Sequence, residues 1–557
     1  MSNLTDLFRP KLIDTLKNYP KAQFYKDVIA GIIVGVVALP LAIAFAIASG
    51  VSPEKGIFTA IIAGLVISAL GGSRVQIGGP TGAFIVVVYG IVQQFGISGL
   101  IVATFISGIL LIVMGLTKLG NAIKYIPYPL VIGFTTGIAV IIFSSEVKDF
   151  LGLKMGSVPA DFISKWLAYG QHLASVNLYA VVTGIFTLLM VQLWPKITHK
   201  VPGSLVAIVV TTFMVSFFHL PVETIGSRFG SIPSSLPKPV IPGVSFAVIQ
   251  QLIRPAITIA LLGSIESLLS AVVADGMTGG SHRSGTELIA QGLANICSSI
   301  FGGIPATGAI ARTATNIKNG GRTPVAGIVH ALTLLIIMLF AGKWAALIPM
   351  ATLAGILIVV AWNMSEPGNF ISVFKASKSD AAVLITTFGL TILVDLTVAI
   401  EIGMILAAFL FMRKMMQVTS VEQAIFTANH ISDDLFDPQV IPEGVDVFEI
   451  NGPLFFGAAY KFKDAMKMLE KPARVLIIRM RNVPVIDATG IRVLKEVNTA
   501  LKKQGTKLIL TEVNSLQVTG ELKKTRLLFQ IGKGNVRDTF EDALKRADAL
   551  LHHTPNG

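Results

Sequence analysis

The chain has 557 residues, 53% of them hydrophobic and 14% charged, a balance that excludes a soluble globular protein over its whole length. The formal net charge of +13 does not indicate nucleic-acid binding, because no basic stripe interleaved with aromatic residues occurs. A single cysteine, Cys297, excludes an intrachain disulfide and offers no zinc-ligand spacing.

The positive charges cluster instead at the edges of an apolar region, with Arg9, Lys11, Lys17, Lys21 and Lys26 before its first run and Arg413 and Lys414 after its last. By the positive-inside rule both termini are expected in the cytoplasm, which requires an even number of spans. Residues 1–26 are charged and amphipathic and lack the apolar core of a cleavable signal peptide, so they read as a cytoplasmic segment. From Val28 to about Met416 apolar runs recur, each near the roughly 20 residues that cross a bilayer core. Residues 27–416 are therefore expected to form a polytopic transmembrane domain.

The first span, Asp27 to Gly50, carries Pro40 within Val37-Ala38-Leu39-Pro40. A proline inside a helix removes a hydrogen bond and bends the axis, for packing or for function. Gly56 to Leu70 reads as a short second span, with Arg74 in the turn that follows. The third segment is interrupted: Gly78-Gly79-Pro80-Thr81-Gly82-Ala83 is an extended lead-in to an apolar run. Ile97 to Leu116, Pro127 to Phe143, Tyr179 to Trp194 and Ser204 to Phe218 complete a first half of seven, residues 27–220. Phe162 to Leu173 and the Pro/Ser-rich Ser227 to Pro242 read as extramembrane connections.

The second half, residues 254–416, starts with Arg254 to Val273 and Leu288 to Ile300 and reaches another interrupted segment at Ile304. Val325 to Phe340, Trp344 to Trp362, Ala381 to Asp395 and Val398 to Met412 bring it to seven. Its interruption, Gly302 to Thr323, repeats the earlier order in Gly302-Gly303, Pro305 and Thr307-Gly308-Ala309. Interruptions in corresponding positions of two halves point to a transporter binding site. With an odd number of segments per half, the second copy enters the membrane from the opposite side. This predicts a 7+7 inverted repeat of about 14 segments whose two half-helix starts meet near the midplane. Helix starts expose unpaired N–H groups and the positive end of the helix dipole, so two converging starts make an anion site.

Arg312 lies a few residues into the second half-helix and carries a fixed charge at membrane depth, which costs several kcal/mol and requires a polar cavity or a partner. It reads as an anion-coordinating group, or as one half of a structural salt bridge. Glu266, inside another apolar span, is either a proton carrier, because burial favours the neutral carboxyl, or a carboxylate pinned by Arg312. Asp395 and Glu401 fall near span ends and read as interfacial charges, and His330 as a hydrogen-bonded core residue. No nucleophile–base pair or metal cluster occurs at membrane depth, so no enzyme activity, cofactor or metal is expected.

After a linker at 417–439 the pattern changes to strands at Val447 to Ile450, Val475 to Met480 and Leu508 to Thr511, alternating with helical patterns at Tyr460 to Leu469, Thr489 to Lys503 and Asn535 to Leu551. This predicts a small α/β domain at 440–552. In its turn Val485-Ile486-Asp487-Ala488-Thr489-Gly490, Thr489 could accept phosphate at a helix start, and Asp487 or Thr489 could equally be an ordinary cap. The chain has no phosphate-binding loop of the ATPase type.

The kinked first span, the paired Gly-Pro-Thr segments, the Arg312-Thr313-Ala314-Thr315-Asn316 run and the tail with Asp487-Ala488-Thr489-Gly490 together resemble the sulfate permease (SulP) anion transporters that carry a C-terminal STAS domain. The resemblance covers about residues 22–550. Asp275 to Gly279 and Trp362 to Glu366 look closest to the bacterial branch that includes the enterobacterial C4-dicarboxylate transporter. The resemblance implies fourteen segments, a core domain moving against a gate domain, and a homodimer. It places the anion pocket on Leu41, Phe45, Thr81, Gly82, Gly308, Ala309 and Arg312, and the membrane acid on Glu266. The sodium-coupled bicarbonate branch has Asp at the Glu266 position, a Thr at that of Ser270 and a Thr at that of Ile310. Ser270 is then a possible cation-site neighbour, while Ile310 disfavours sodium and favours a proton. Thr489 falls where bacterial relatives are phosphorylated, usually on Ser.

These features lead to an expected proton-coupled symporter of sulfate or a C4-dicarboxylate such as succinate, working by alternating access in the bacterial inner membrane. Its partners are expected to be the lipid bilayer, a second copy of the chain and a cytoplasmic protein at the STAS domain, with no nucleic acid. The alternatives are sodium-coupled bicarbonate uptake, and an anion channel or sensor that signals through the STAS domain.

Overall fold

The computed structural model describes residues 8–17, 19–120, 126–156, 158–159, 161–198, 202–230, 235, 238–239, 242, 245–394, 396–418, 420–423, 441–467 and 473–552. Asp395 and most of the expected linker 417–439 lie outside the described residues, as do the first seven residues of the N-terminal segment. The chain divides into two compact units, Met1–Ala407 and Ala408–Gly557.

The first unit opens with α1 (Lys11–Leu16), α2 (Lys21–Ala48) and α3 (Pro53–Leu70). The strand β1 (Gly78–Gly79) and a 3-10 turn at Gly82–Phe84 lead into α4 (Ile85–Leu116). At 1.5 Å per residue a helix of 32 residues would overrun the roughly 30 Å apolar core of a bilayer, and α4 is broken at Gly96, whose φ of 65° leaves the helical region. Its two arms correspond to the third and fourth expected spans. There follow α5 (Tyr128–Leu151), α6 (Phe162–His172), α7 (Leu178–Ile197), α8 (Gly203–Phe217) and α9 (Ile225–Phe229).

The second half consists of α10 (Phe246–Thr278), α11 (Ser284–Ile300), β2 (Thr307–Gly308), α12 (Ile310–Lys318), α13 (Pro324–Ala345), α14 (Met350–Ser365), α15 (Pro367–Phe374), α16 (Lys378–Leu393) and α17 (Leu396–Val418). Trp344 belongs to the end of α13 rather than to the next span, because the Pro349 that precedes Met350 has extended backbone and starts α14. Among the described residues seven helices are individually long and apolar enough to cross a membrane. On α7 the apolar side chains of Leu178, Val182, Ile185, Leu189 and Leu193 recur every three or four residues on an exposed face. A stripe that wide and apolar is suited to lipid.

Close packing in this unit uses small residues, as expected where lipid supplies no hydrophobic drive between helices. A Cβ on Gly108 of α4 would lie 2.7 Å from the Gly292 carbonyl oxygen of α11, and one on Gly292 would lie 2.5 Å from that of Gly108. Side chains from distant segments tie down the loops. The fully buried Asp27 carboxylate accepts from the Tyr19 hydroxyl (2.7 Å), the Thr323 hydroxyl (2.6 Å) and the Arg322 amide (2.8 Å), which joins the start of α2 to the start of α13. Glu287 likewise accepts from the amides of Gly72 (2.8 Å) and Ser73 (3.0 Å) in the loop that feeds β1.

The second unit holds a five-stranded sheet ordered β3 (Ser420–Gln423), β4 (Val445–Asn451), β5 (Val475–Asn482), β6 (Lys507–Thr511) and β7 (Val536–Arg537). Only β3 runs antiparallel to its neighbour. The helices are α18 (Phe456–Lys467), α19 (Ala488–Lys503), α20 (Leu516–Lys524), α21 (Leu527–Ile531) and α22 (Phe540–His552). Residues of β5 are buried from Val475 through Met480, as in a strand covered on both faces. The expected α/β layer is present, with α20 and α21 as additions that the sequence pattern did not separate from the preceding strand.

Candidate functional site

The two interrupted segments cross. Gly78 pairs with Gly308 and Gly79 with Thr307 in an antiparallel β1–β2 ladder of two residues each, and the Ala309 amide adds a bond to the Ile77 carbonyl (2.8 Å). This short sheet satisfies backbone groups that neither segment could satisfy as a helix, which is what an unwound crossing inside a membrane requires. Only small residues permit it. A Cβ on Gly308 would fall 1.4 Å from Gln76 Nε2. On Gly79 it would fall 2.4 Å from Arg312 Nη1, and the φ of 155° there favours glycine.

Polar side chains from α10 and α11 lock the crossing. Ser267 Oγ lies 2.6 Å from Thr307 Oγ1, which in turn donates to the Gly263 carbonyl (3.0 Å). Gln76 Nε2 donates to the Ser267 carbonyl (3.0 Å), and Asn295 accepts from the Ala306 amide (2.9 Å) and donates to the Ala306 carbonyl (2.9 Å). Ser270 donates weakly to Thr313 Oγ1 (3.4 Å), which itself accepts from the Ile77 amide (3.0 Å). Ser267 and Gln76 escaped the sequence reading, and Thr307 and Thr313 entered it only as parts of motifs, without a role. The one available signal was the serine spacing 264, 267, 270 on α10.

Both half-helices start without a side-chain cap. Thr81 precedes the first, but its hydroxyl donates to Glu266 Oε2 (2.9 Å) instead of accepting from the turn. Ala309 precedes the second and has no group with which to cap it. The Gly308 amide is already bound to Ser267 Oγ (3.2 Å) and that of Ala309 to Ile77, so the free amides of the second start begin at Ile310. Ile310 and Ala311 are exposed there, whereas Arg312 is buried.

Arg312 is 2% exposed and donates through Nη2 to the Pro80 carbonyl (3.0 Å), while Nη1 has no hydrogen-bond partner among the described residues. It makes no ion pair with Glu266, which is held by Thr81. The structural salt bridge is thus not formed at contact distance, although the two opposite charges still attract across the crossing. Its guanidinium is tethered across the crossing to the first segment with one nitrogen left over. Phe45 packs at the first start, 3.6 Å from a Cβ position on Gly82, and Leu41 lies one turn earlier on the same helix, partly buried against the core. Thr81, Gly82, Phe45, Glu266, Gly308, Ala309 and Arg312 are therefore brought to one crossing, and Ser270 lies one turn from Glu266, bound to Thr313. His330 is fully buried and interacts with the backbone of Gly327, three residues earlier on the same helix, as expected of a core histidine. Glu401 pairs with Arg254 at 3.1 Å on a largely exposed face.

In the second unit Asp487 caps α19, accepting from the Gly490 amide at 2.8 Å, so the ordinary cap is the role its geometry shows. Thr489 lies in the first turn, half-buried, and Gln517 of α20 holds the preceding turn through both the amide (2.9 Å) and the carbonyl (2.8 Å) of Ile486.

A polytopic helical unit with two interrupted segments crossing inside it, followed by an α/β domain, is the architecture of a membrane transporter. The chain belongs to the sulfate permease family: residues 24–387 match that family and residues 439–543 match the STAS domain. YvdB of Bacillus subtilis (strain 168) is 41% identical over 528 residues, covering 94% of this chain and 98% of its own. The bicarbonate transporter BicA of a Picosynechococcus species is 31% identical over 540 residues, 94% of each chain. Murine Slc26a9 in its inward-facing state shares the fold, with a TM-score of 0.88 at 19% identity over 99% of this chain and 95% of that one. The transmembrane domain of a cyanobacterial BicA gives a TM-score of 0.63 at 32% identity, covering 69% of this chain and 98% of its own. The resemblance read from the motifs is borne out, and the chain is a multi-pass membrane transporter rather than an enzyme.

Proposed function

We propose that the protein is a proton-coupled secondary transporter of a small dianion, sulfate or a C4-dicarboxylate such as succinate, in the bacterial inner membrane with both termini cytoplasmic. The observation that carries this reading is the pair of uncapped half-helix starts beside a buried arginine that has no ion-pair partner within 4.0 Å among the described residues. The anion takes the amides after Thr81 and those from Ile310 onward, with the spare Arg312 nitrogen as its charged donor. Gly308 and Ala309 contribute by being small enough for the crossing, and Leu41 and Phe45 form the apolar wall.

Glu266 is the coupling group. Its carboxyl is bound to Thr81 at the first start and not to Arg312, so taking up a proton breaks no ion pair. Protonation removes a negative charge beside the pocket, and anion binding adds one. Each event therefore favours the other, which is the requirement for symport. Rocking of one set of helices against the other exposes the site alternately, and the protein works as a homodimer whose STAS domain engages a cytoplasmic partner.

Sodium-coupled bicarbonate uptake is the second reading, favoured by the 31% identity to a transporter named for bicarbonate. Against it stands Ile310, which offers no oxygen to a cation at the second helix start. Uptake of labelled sulfate, succinate and bicarbonate into proteoliposomes, with an inward proton gradient or with sodium alone, separates the two. Proton-driven, saturable accumulation of one dianion is expected. Accumulation of bicarbonate only with sodium would replace this reading with the second. Unsaturable current without accumulation would make the protein a channel.

A further inference from the structure

A cavity of about 380 Å³ runs beside the first arm of α4, from Ile85, the residue that follows the Gly82–Phe84 turn, to Phe95. Its other walls are formed by α5, α6 and α16, with Ala48 of α2, Pro255 of α10 and Thr397 of α17. Lys165 of α6 lines it while being only 3% exposed. The lysine is placed there by a bolt of three bonds between α6 and α5: Lys165 Nζ to Ser145 Oγ (3.0 Å), Trp166 Nε1 to Ser144 Oγ (3.2 Å) and Tyr169 Oη to the Ser144 carbonyl (2.8 Å). Ser145 donates its own proton to the Ile141 carbonyl (2.9 Å), so its oxygen can only accept from the lysine.

That bond uses one of the three ammonium donors. The Tyr89 ring centroid lies 5.9 Å from Nζ, and among the described residues no carboxylate lies within 4.0 Å of it. Two acids are in its neighbourhood. Asp161 shares the cavity wall but accepts from the Ser164 amide (2.8 Å) as the cap of α6, and Glu146 is buried in α5 without an ion pair. Burial lowers the Lys165 pKa, with Glu146 and Asp161 opposing. A buried cation with spare donors facing a cavity is the arrangement that recruits an anion.

α6 is reached after an odd number of crossings, namely α2, α3, the two arms of α4 and α5, so it lies on the membrane face opposite the N-terminus. We propose that Lys165 is an anion-capture site on that face, which holds the same small oxyanions before they pass along the first arm of α4 to the Arg312 crossing. The direction of passage rests on the transporter reading, whereas the capture site itself does not.

The test compares full-length wild type with Lys165→Gln, which can keep the bond to Ser145 without the charge, Lys165→Arg, which keeps the charge, and Ser145→Ala, which removes the anchor alone. In oriented proteoliposomes, Lys165→Gln is expected to raise the half-saturating outer anion concentration about ten-fold at low salt, with the maximal rate and the half-saturation of efflux from the inside unchanged. The shift should shrink as ionic strength rises, and the Arg and Ser145 variants should stay near wild type. Equal values for Lys165→Gln and wild type on both faces, or an equal loss in the Gln and Arg variants, would overturn the proposal. Binding of labelled sulfate to purified Arg312→Ala protein reads the capture site without transport. Saturable binding that disappears with an added Lys165→Gln supports the site even if wild type accumulates no anion, and binding indifferent to Lys165, or none at all, would discard it.

Discussion

The two interrupted segments share a sequence order but not a task. The first, Gly78 to Phe84, contributes no charge; it supplies the Pro80 carbonyl that tethers Arg312 and the Thr81 hydroxyl that holds Glu266. The second, Thr307 to Lys318, contributes the guanidinium in a helix of nine residues with a strongly polar face. Backbone pairing of Gly78 with Gly308 and Gly79 with Thr307 makes the two into one object, so the charge carried by one copy is aimed by the other. The two segments have matching helix starts, but the charge lies on one and its support on the other. Glu266, the acid proposed to couple transport to protons, sits on a third element, α10, yet is bound to the uncharged copy.

The largest effect that sharpens this contrast is expected from Arg312→Ala. Truncating one buried charged donor costs about 2–5 kcal/mol, or at least about 30-fold in anion affinity, and saturable uptake should vanish. Unchanged affinity in that variant would remove the arginine from the site. Gly79→Ala comes next: its methyl would lie 2.4 Å from Arg312 Nη1, so uptake should fall about ten-fold although the residue touches the anion through no side chain. Gly82→Ala is the control, because its nearest contact would be an ordinary 3.4 Å to Ile142 Cδ1, and it should be the milder of the two.

Glu266→Gln should preserve anion exchange while abolishing the acid stimulation of uptake expected of wild type. The sign follows from linkage: lower pH loads the proton that favours anion binding, so wild-type uptake rises as pH falls and the variant stays flat. Acid stimulation that survives in the variant would move coupling to another group. The smallest effect is expected from Ile310→Thr, which returns a hydroxyl to the second helix start. It should add sodium stimulation of at most about three-fold, under 1 kcal/mol, without replacing the proton. Sodium-driven uptake by wild type itself would show that Ile310 is no bar.

Much of this architecture could be read from residue order alone. Glycine and proline inside apolar runs are costly unless the backbone is meant to unwind, so both interruptions stood out, and Arg312 stood out because charge at membrane depth is costly. The supporting hydrogen bonds could not be read. Ser267 with Thr307 and Gln76 with Ser267 join positions 40 and 191 residues apart, and nothing local distinguishes a buried serine that binds another span from one that bonds its own helix. Span boundaries failed where apolar residues continued through a turn, as at Trp344 to Pro349, because composition there does not change when direction does. The capture lysine was hidden for a third reason: α6 reads as a polar connection, and only its bonds to Ser144 and Ser145 show that the connection folds back onto a span.

The central claim is that the two helix starts and Arg312 together hold the anion. Cryo-electron microscopy of the reconstituted wild-type protein, saturated with the anion that the uptake assay identifies and compared with Arg312→Ala under the same conditions, tests it most directly. The account predicts density between the amides after Thr81 and those from Ile310, within hydrogen-bond reach of Arg312, and no such density in the variant. Density that persists there without Arg312, or that occupies only other cavities of the wild type, would contradict it.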